Sequence, residues 1–142
     1  MSSRLSRAAL TLALLSSTGA AMAAEPVFNR IAAFPVAGNL PADKDAKSPT
    51  SAEIVTASKD GKVLIYSDSP LGAIGFVDIA DAKAPKPLGA LIFKGEPTSV
   101  AVAGTKVLAA VNTSESKAKP SGFLATVDLA TQKVENQCDL GG

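Results

Sequence analysis

"KVLIYSDSPLGAIGFVDI" occupies Lys62–Ile79, and "KVLAAVNTSESKAKPSGFLATVDL" occupies Lys106–Leu129. Both open on Lys-Val-Leu and close on Val-Asp followed by Ile or Leu. Aligned at their openings the offset is 44, which sets Asp68 on Asn112. Aligned at their ends, with Gly72 on Gly122 and Asp78 on Asp128, the offset is 50, so six extra residues fall within "NTSESKAKPSG". Downstream, "LIFKG" ending at Gly95 matches "CDLGG" ending at Gly142, at an offset of 47. A period of this length, with the length change confined to one segment, marks a repeat array.

Each unit reads as four short strands. In the first, "AEIVTAS" meets Asp60-Gly61, a pair that predicts a two-residue hairpin. "KVLIYS" follows, broken by Ser69-Pro70-Leu71-Gly72, whose Pro and Gly are turn formers. "AIGFVDI", the turn "ADAKAPKP" and "LGALIF" complete it. The second unit gives "TSVAVA", "KVLAAV", "FLATVDL" and "KVENQCDL". Val, Ile, Leu and Phe suit strands. Runs such as "VLIY" and "VLAAV" lack clean alternation, which predicts sheets covered on both faces. Radially stacked four-stranded blades meet that need, so the expected fold is all-β, a partial β-propeller of two antiparallel blades. A β-sandwich accounts for the strand count but not for the repeat.

The ends of the chain extend this reading. Arg4 and Arg7, the apolar run Ala8–Leu15 and Ala21-Met22-Ala23 follow the order of a secretory signal peptide, expected at 1–23 with cleavage after Ala23. The apolar run is far shorter than the roughly twenty residues that span a bilayer. Residues 24–51 are expected to hold one strand, "FNRIAAFPVAG" (Phe28–Gly38), and a polar loop, Asn39–Ser51. The blades are expected at 52–95 and 96–142, with the array continuing beyond Gly142 into further blades. Propellers have about 4–8 blades. The location expected is therefore periplasmic or secreted.

Composition restricts the chemistry. Without Arg4 and Arg7 the chain has 12 Lys and Arg against 13 Asp and Glu, so it offers no basic surface to nucleic acid or anionic lipid. The sequence has no His and one Cys, Cys138. A Ser-His-Asp or Cys-His site, a His-built zinc site and an internal disulfide are all excluded. Carboxylate, hydroxyl, amide and Lys chemistry remains.

In a propeller, ligands gather where the innermost strands begin and where strand two turns into strand three. Glu53 and Glu96, each preceding an innermost strand, are the candidates for acid–base work. Asp68, Asn112 and Glu115, beside Ser114, are candidates for a ligand or a hard cation such as calcium, which takes six to eight oxygens. The plainer reading makes Asp68 and Asn112 turn residues bonding their own backbone and Glu115 a solvated side chain. Asp78 and Asp128, repeated at the end of strand three, read as turn caps. Lys117 and Lys119 read as solvated.

The stretch "AEPVFNRIAAFPVAGNLPADKDAKSPTSAEIVTASKDGKVLIYSDSPLGAIGFVDIAD" and the later "GEPTSVAVAGTKVLAAVNTSES" resemble the start of exported bacterial propellers of the "esterase-like activity of phytase" family. "GFVDIADAKAPKPLG" is also similar to LVIVD-type and choice-of-anchor repeats. The resemblance covers nearly all of the chain after Ala23. It implies a propeller whose whole protein hydrolyses phosphate esters or other esters; the cofactor is left open, with calcium an option for the whole protein on the carboxylate chemistry above. It assigns no catalytic residue within this stretch. The alternative is a non-catalytic propeller that binds a protein or carbohydrate.

Overall fold

The computed structural model describes residues 28–141. The expected signal peptide and its cleavage position lie outside the described residues. Two four-stranded antiparallel sheets make up the fold, each with its strands in chain order. The first contains β1 (Val55–Ala57), β2 (Val63–Asp68), β3 (Ala73–Asp78) and β4 (Lys86–Ile92). The second contains β5 (Glu96–Ala103), β6 (Lys106–Asn112), β7 (Gly122–Asp128) and β8 (Lys133–Asp139). No helix among the described residues is long and apolar enough to cross a membrane.

The sheets stack face to face. Ile65, Ile74, Phe76 and Phe93 of the first pack against Val100, Val107, Ala109, Val111, Ala125 and Val127 of the second. Directly paired residues share a face, so Ile65 opposite Phe76 and Ala109 opposite Ala125 define the two contacting surfaces. The absence of alternation now has a cause: β2 and β3 are buried on both faces. Ile65 and Phe76 face the second sheet, while Tyr66 and Val77 face the other way, toward the N-terminal segment.

The repeat is real, but its register is not the one suggested by the shared Lys-Val-Leu. Val63 pairs with Asp78, and Lys106 pairs with Asp128. Lys106 therefore stands where Val63 stands, and Lys62, still in the turn, corresponds to Thr105. A slip of one residue exchanges the two faces of a strand. It follows that Asp68 is equivalent to Val111, not to Asn112, whose counterpart is Ser69. The slip arises from unequal hairpins. Gly104-Thr105 joins β5 to β6 directly across the pair Ala103–Lys106, with Gly104 at φ +63°. The first hairpin is longer. Ser58 N donates to Val63 O at 2.8 Å, and Gly61 N to Ser58 O at 2.9 Å. Gly61 alone carries a positive φ there, +69°, so Asp60-Gly61 does not form the expected two-residue turn, in which both residues would need φ above zero.

No strand forms over Phe28–Gly38. A strand exists only by pairing, and no ladder runs beside this segment among the described residues. After Pro35 the chain instead curls into a 3-10 turn, Val36–Asn39, packed on β3 and β4. This turn delivers Asn39 into the first sheet. Its Nδ2 donates to Tyr66 Oη at 3.0 Å and to Phe76 O at 2.9 Å, and its Oδ1 accepts from Gly89 N at 3.0 Å. The β3–β4 register shifts at this point, leaving Leu88 as the extra residue. Asn39 thus supplies partners where a bulge disturbs the ladder. Tyr66 lies flat across Gly75, its cross-strand neighbour, where a Cβ would come within 2.1 Å of the ring. Burial pushes the Tyr66 phenol above its ordinary pKa, against the opposing pull of the Asn39 amide. Beside this plug, between Ile31–Val36 and β1–β2, an apolar cavity of about 390 Å³ is lined by Phe34, Val55, Leu64 and Val77.

Candidate functional site

The starts of β1 and β5, the β2–β3 turn and the β6–β7 loop all lie at one end of the stacked sheets, as the strand pairing requires. Glu53 precedes β1. Glu53 N donates to Ser67 O at 3.0 Å, and Ser67 N to Ile54 O at 2.9 Å, so two residues face one. The second sheet repeats the irregularity, with Thr98 the extra residue opposite β6. Glu53 is therefore the counterpart of Thr98, not of Glu96. Glu96 is the first residue of β5, paired with Asn112 and exposed, rather than a residue preceding the strand.

Ser69 links the two sheets at this end. Its hydroxyl lies 2.6 Å from Glu53 Oε2 and 2.9 Å from Pro97 O, sharing one proton between a carboxylate and the neighbouring sheet's backbone. Sequence reasoning treated Ser69 only as a turn former. Its equivalence to Asn112, visible once the register is correct, would have marked it.

The remaining candidates have local tasks. Asp68 is 1% exposed. Its Oδ1 accepts from Ser51 N at 3.0 Å and from Leu71 N at 3.1 Å, and its Oδ2 from the Thr50 hydroxyl. It closes the β2–β3 turn and pins the N-terminal loop. Asn112 Oδ1 accepts from Ser114 N at 3.0 Å. Glu115 pairs with Lys119 at 2.9 Å on the exposed tip of the β6–β7 loop. That loop is closed by its own hydroxyls. Thr113 Oγ1 and Ser121 Oγ lie 2.9 Å apart, and Ser121 N donates to Ser114 Oγ at 2.9 Å.

Among the described residues, no three Asp, Glu or Cys side chains converge as a metal site. Asp68 has its oxygens engaged, and Glu115 is out on a loop tip. The described residues do not assemble a calcium shell.

At the opposite end, Asp78 Oδ1 accepts from Ala80 N at 2.8 Å, and Asp128 Oδ1 from Thr131 N at 2.9 Å. Lys106 Nζ reaches Asp128 at 2.9 Å and Glu135 at 2.5 Å. That ammonium, followed by the Thr131 amide and hydroxyl, holds the Asp128 carboxyl down to about 2. Glu135 is the extra residue of the β7–β8 bulge, at the position Leu88 takes in the first sheet.

No family model matches the chain, and no curated protein matches it in sequence. Among solved structures it is similar to Kuenenia stuttgartiensis hydrazine synthase, with 18% identity and a TM-score of 0.51 over 61% of this chain. The match spans 24% of the length of that chain. The likeness is one of fold. The chain is all-β and propeller-like, built from two blade-type sheets.

Proposed function

We infer that this chain supplies two blades of an exported propeller that binds a protein ligand at the end where β1 and β5 begin. The observation that carries the reading is the character of that end. It presents the carboxylates of Glu53 and Glu96, with the side chains of Thr98, Asn112 and Thr113 around them. The rings nearest it, Phe93 and Phe123, pack against each other at a tilt of 57° with centroids 6.2 Å apart, Phe93 buried and Phe123 partly so. Carbohydrate sites draw on exposed aromatic faces, whereas hydrogen-bonding groups and carboxylates suit a peptide carrying basic side chains.

A second reading keeps the resemblance to the "esterase-like activity of phytase" family and makes the whole protein an ester hydrolase. The observation favouring it is Ser69 against Glu53, a hydroxyl and a carboxylate in hydrogen-bond contact. The chain brings no His to serve as a base near neutral pH.

One experiment separates them. The full chain and a Glu53→Gln plus Glu96→Gln variant are screened against displayed peptides and a glycan array. Both are also assayed on p-nitrophenyl phosphate, p-nitrophenyl acetate and phytate. Binding to basic peptides that weakens in the variant, with no turnover, is expected. Turnover that the variant loses would establish the hydrolase.

A further inference from the structure

On the face of the first sheet turned away from the second, the chain covers itself but leaves space under the cover. Part of the reason lies in the floor. Gly75 has no side chain, so the Tyr66 ring lies down across it instead of standing off the sheet. Leu64 and Val77, paired beside it, share that face. The rest of the reason lies in the roof. Ala32, Phe34 and Val36 are half-buried while Ile31, Ala33 and Pro35 are exposed, the alternation of an extended chain with one side turned to the sheet. No backbone hydrogen bond holds Ile31–Phe34 among the described residues. The roof therefore rests on side chains, and the small Ala32 and Ala52 border the space that remains. That space is the cavity of about 390 Å³, inside the roughly 300–1,000 Å³ range of small-molecule sites.

The lining selects a chemistry. Of its 13 residues only Tyr66 has a polar side chain, and none is Asp, Glu, Lys or Arg. An ordered water needs about two to four polar partners, so a cavity of this kind stays dry and takes up apolar molecules. A charged guest would lose its hydration and gain no partner. Tyr66 sets the one polar preference. Its hydroxyl oxygen accepts from Asn39 Nδ2 at 3.0 Å, and its own proton meets no acceptor among the described residues. The phenol can therefore donate one further hydrogen bond.

We propose that this cavity is a binding site for a small uncharged molecule with an apolar body and one hydrogen-bond acceptor. The body sits between Phe34 in the roof and Leu64 in the floor, and the acceptor takes the Tyr66 proton. Floor and roof both belong to this chain. Neither Glu53 nor Glu96 lines the cavity, so this site and the ligand end described above stand or fall separately.

The test titrates the full chain with acetophenone, ethylbenzene and benzoate, which share a ring but carry an acceptor, no polar group and a charge. Affinity is read from ligand-observed NMR. Location is read from the Tyr66 ring resonances, which are unambiguous because Tyr66 is the single tyrosine of the chain. Acetophenone and ethylbenzene are expected to saturate one site and shift those resonances, and benzoate to leave them in place. Tyr66→Phe is expected to weaken acetophenone by about 3- to 10-fold, the worth of one hydrogen bond, and to leave ethylbenzene unchanged. Ala32→Phe and Ala52→Phe, filling the space from two different walls, are each expected to abolish the binding of both, with a matched far-ultraviolet circular dichroism spectrum verifying the fold. Unmoved Tyr66 resonances, benzoate binding as well as acetophenone, filled variants that bind like the unaltered chain, or a Tyr66→Phe variant that treats the two neutral ligands alike would overturn the proposal. So would a dimer in sedimentation velocity that Ala32→Phe dissociates, which would give the cavity to a second copy.

Discussion

Asn39 and Gly89 are separated by 50 residues and meet at 3.0 Å, with Asn39 Oδ1 accepting from Gly89 N. The same side chain donates to Phe76 O, so a single amide bridges both strands of the β3–β4 bulge. Asn39→Ala leaves buried backbone groups without partners. An unsatisfied buried group costs about 1–3 kcal/mol, so a loss of about 2–4 kcal/mol in urea unfolding is expected. Asn39→Asp is expected to be no better, since a carboxylate would face the Phe76 carbonyl.

Gly75 has no room for a side chain because the Tyr66 ring occupies it. Gly75→Ala is expected to destabilise by about 1–3 kcal/mol, the usual range for overpacking. Tyr66→Val removes the obstructing ring. A double-mutant cycle on urea midpoints should show the second substitution recovering most of the cost of the first.

Asp68 is expected to act on the chain itself. Asp68→Ala frees Ser51 N, Leu71 N and the Thr50 hydroxyl, with a loss of about 2–4 kcal/mol. Trypsin cleavage at Lys44 and Lys47 should accelerate as the loop loosens. Glu115→Ala, at an exposed loop tip, is expected to change stability by less than about 0.5 kcal/mol.

The pH dependence follows from Asp128. Its folded carboxyl titrates at about 2, below the ordinary 3.8. Its contribution to stability is therefore present above 3.8 and is lost as pH falls toward about 2. Lys106 is raised above 10.5 by Glu135 and Asp128, so its share persists up to 10.5 and fades above it. The gap in urea midpoint between the unaltered chain and Asp128→Asn should be constant over about pH 5–8. It should close as the solution is acidified through that lower window.

Much of the architecture was legible in the letters. The eight strands of the two blades, their order and the stacking of two sheets follow from Val-, Ile- and Leu-rich runs punctuated by Gly, Pro and Asp. Register was not legible, for a definite reason. Lys62-Val63-Leu64 and Lys106-Val107-Leu108 are the same letters, but they follow hairpins of different length. The letters record identity, while the pairing follows the turn. That slip drew Asp68 onto Asn112 and concealed Ser69. The fate of Phe28–Gly38 was also hidden, because its β-type residues bear on a partner strand that local sequence does not supply. Asn39 carried no signal at all, since an amide becomes a plug only when a bulge 50 residues away is brought to it.

The loop between β6 and β7 has a use beyond its own rigidity. Thr113 and Ser121 fasten it at the base, where Thr113 N also donates to Ser121 O at 3.0 Å. Ser114 N also reaches Asn112 at the end of β6, while the tip beyond it is held by contacts of its own, Lys119 to Glu115 and Lys119 N to Ser116 O. The clasp therefore makes this rim a docking port for foreign sequence. Residues 115–120 could be exchanged for an epitope, a metal-binding peptide or a fluorophore-labelled segment without re-engineering the strands beneath, and the graft would be displayed at the end that also carries Glu53 and Glu96.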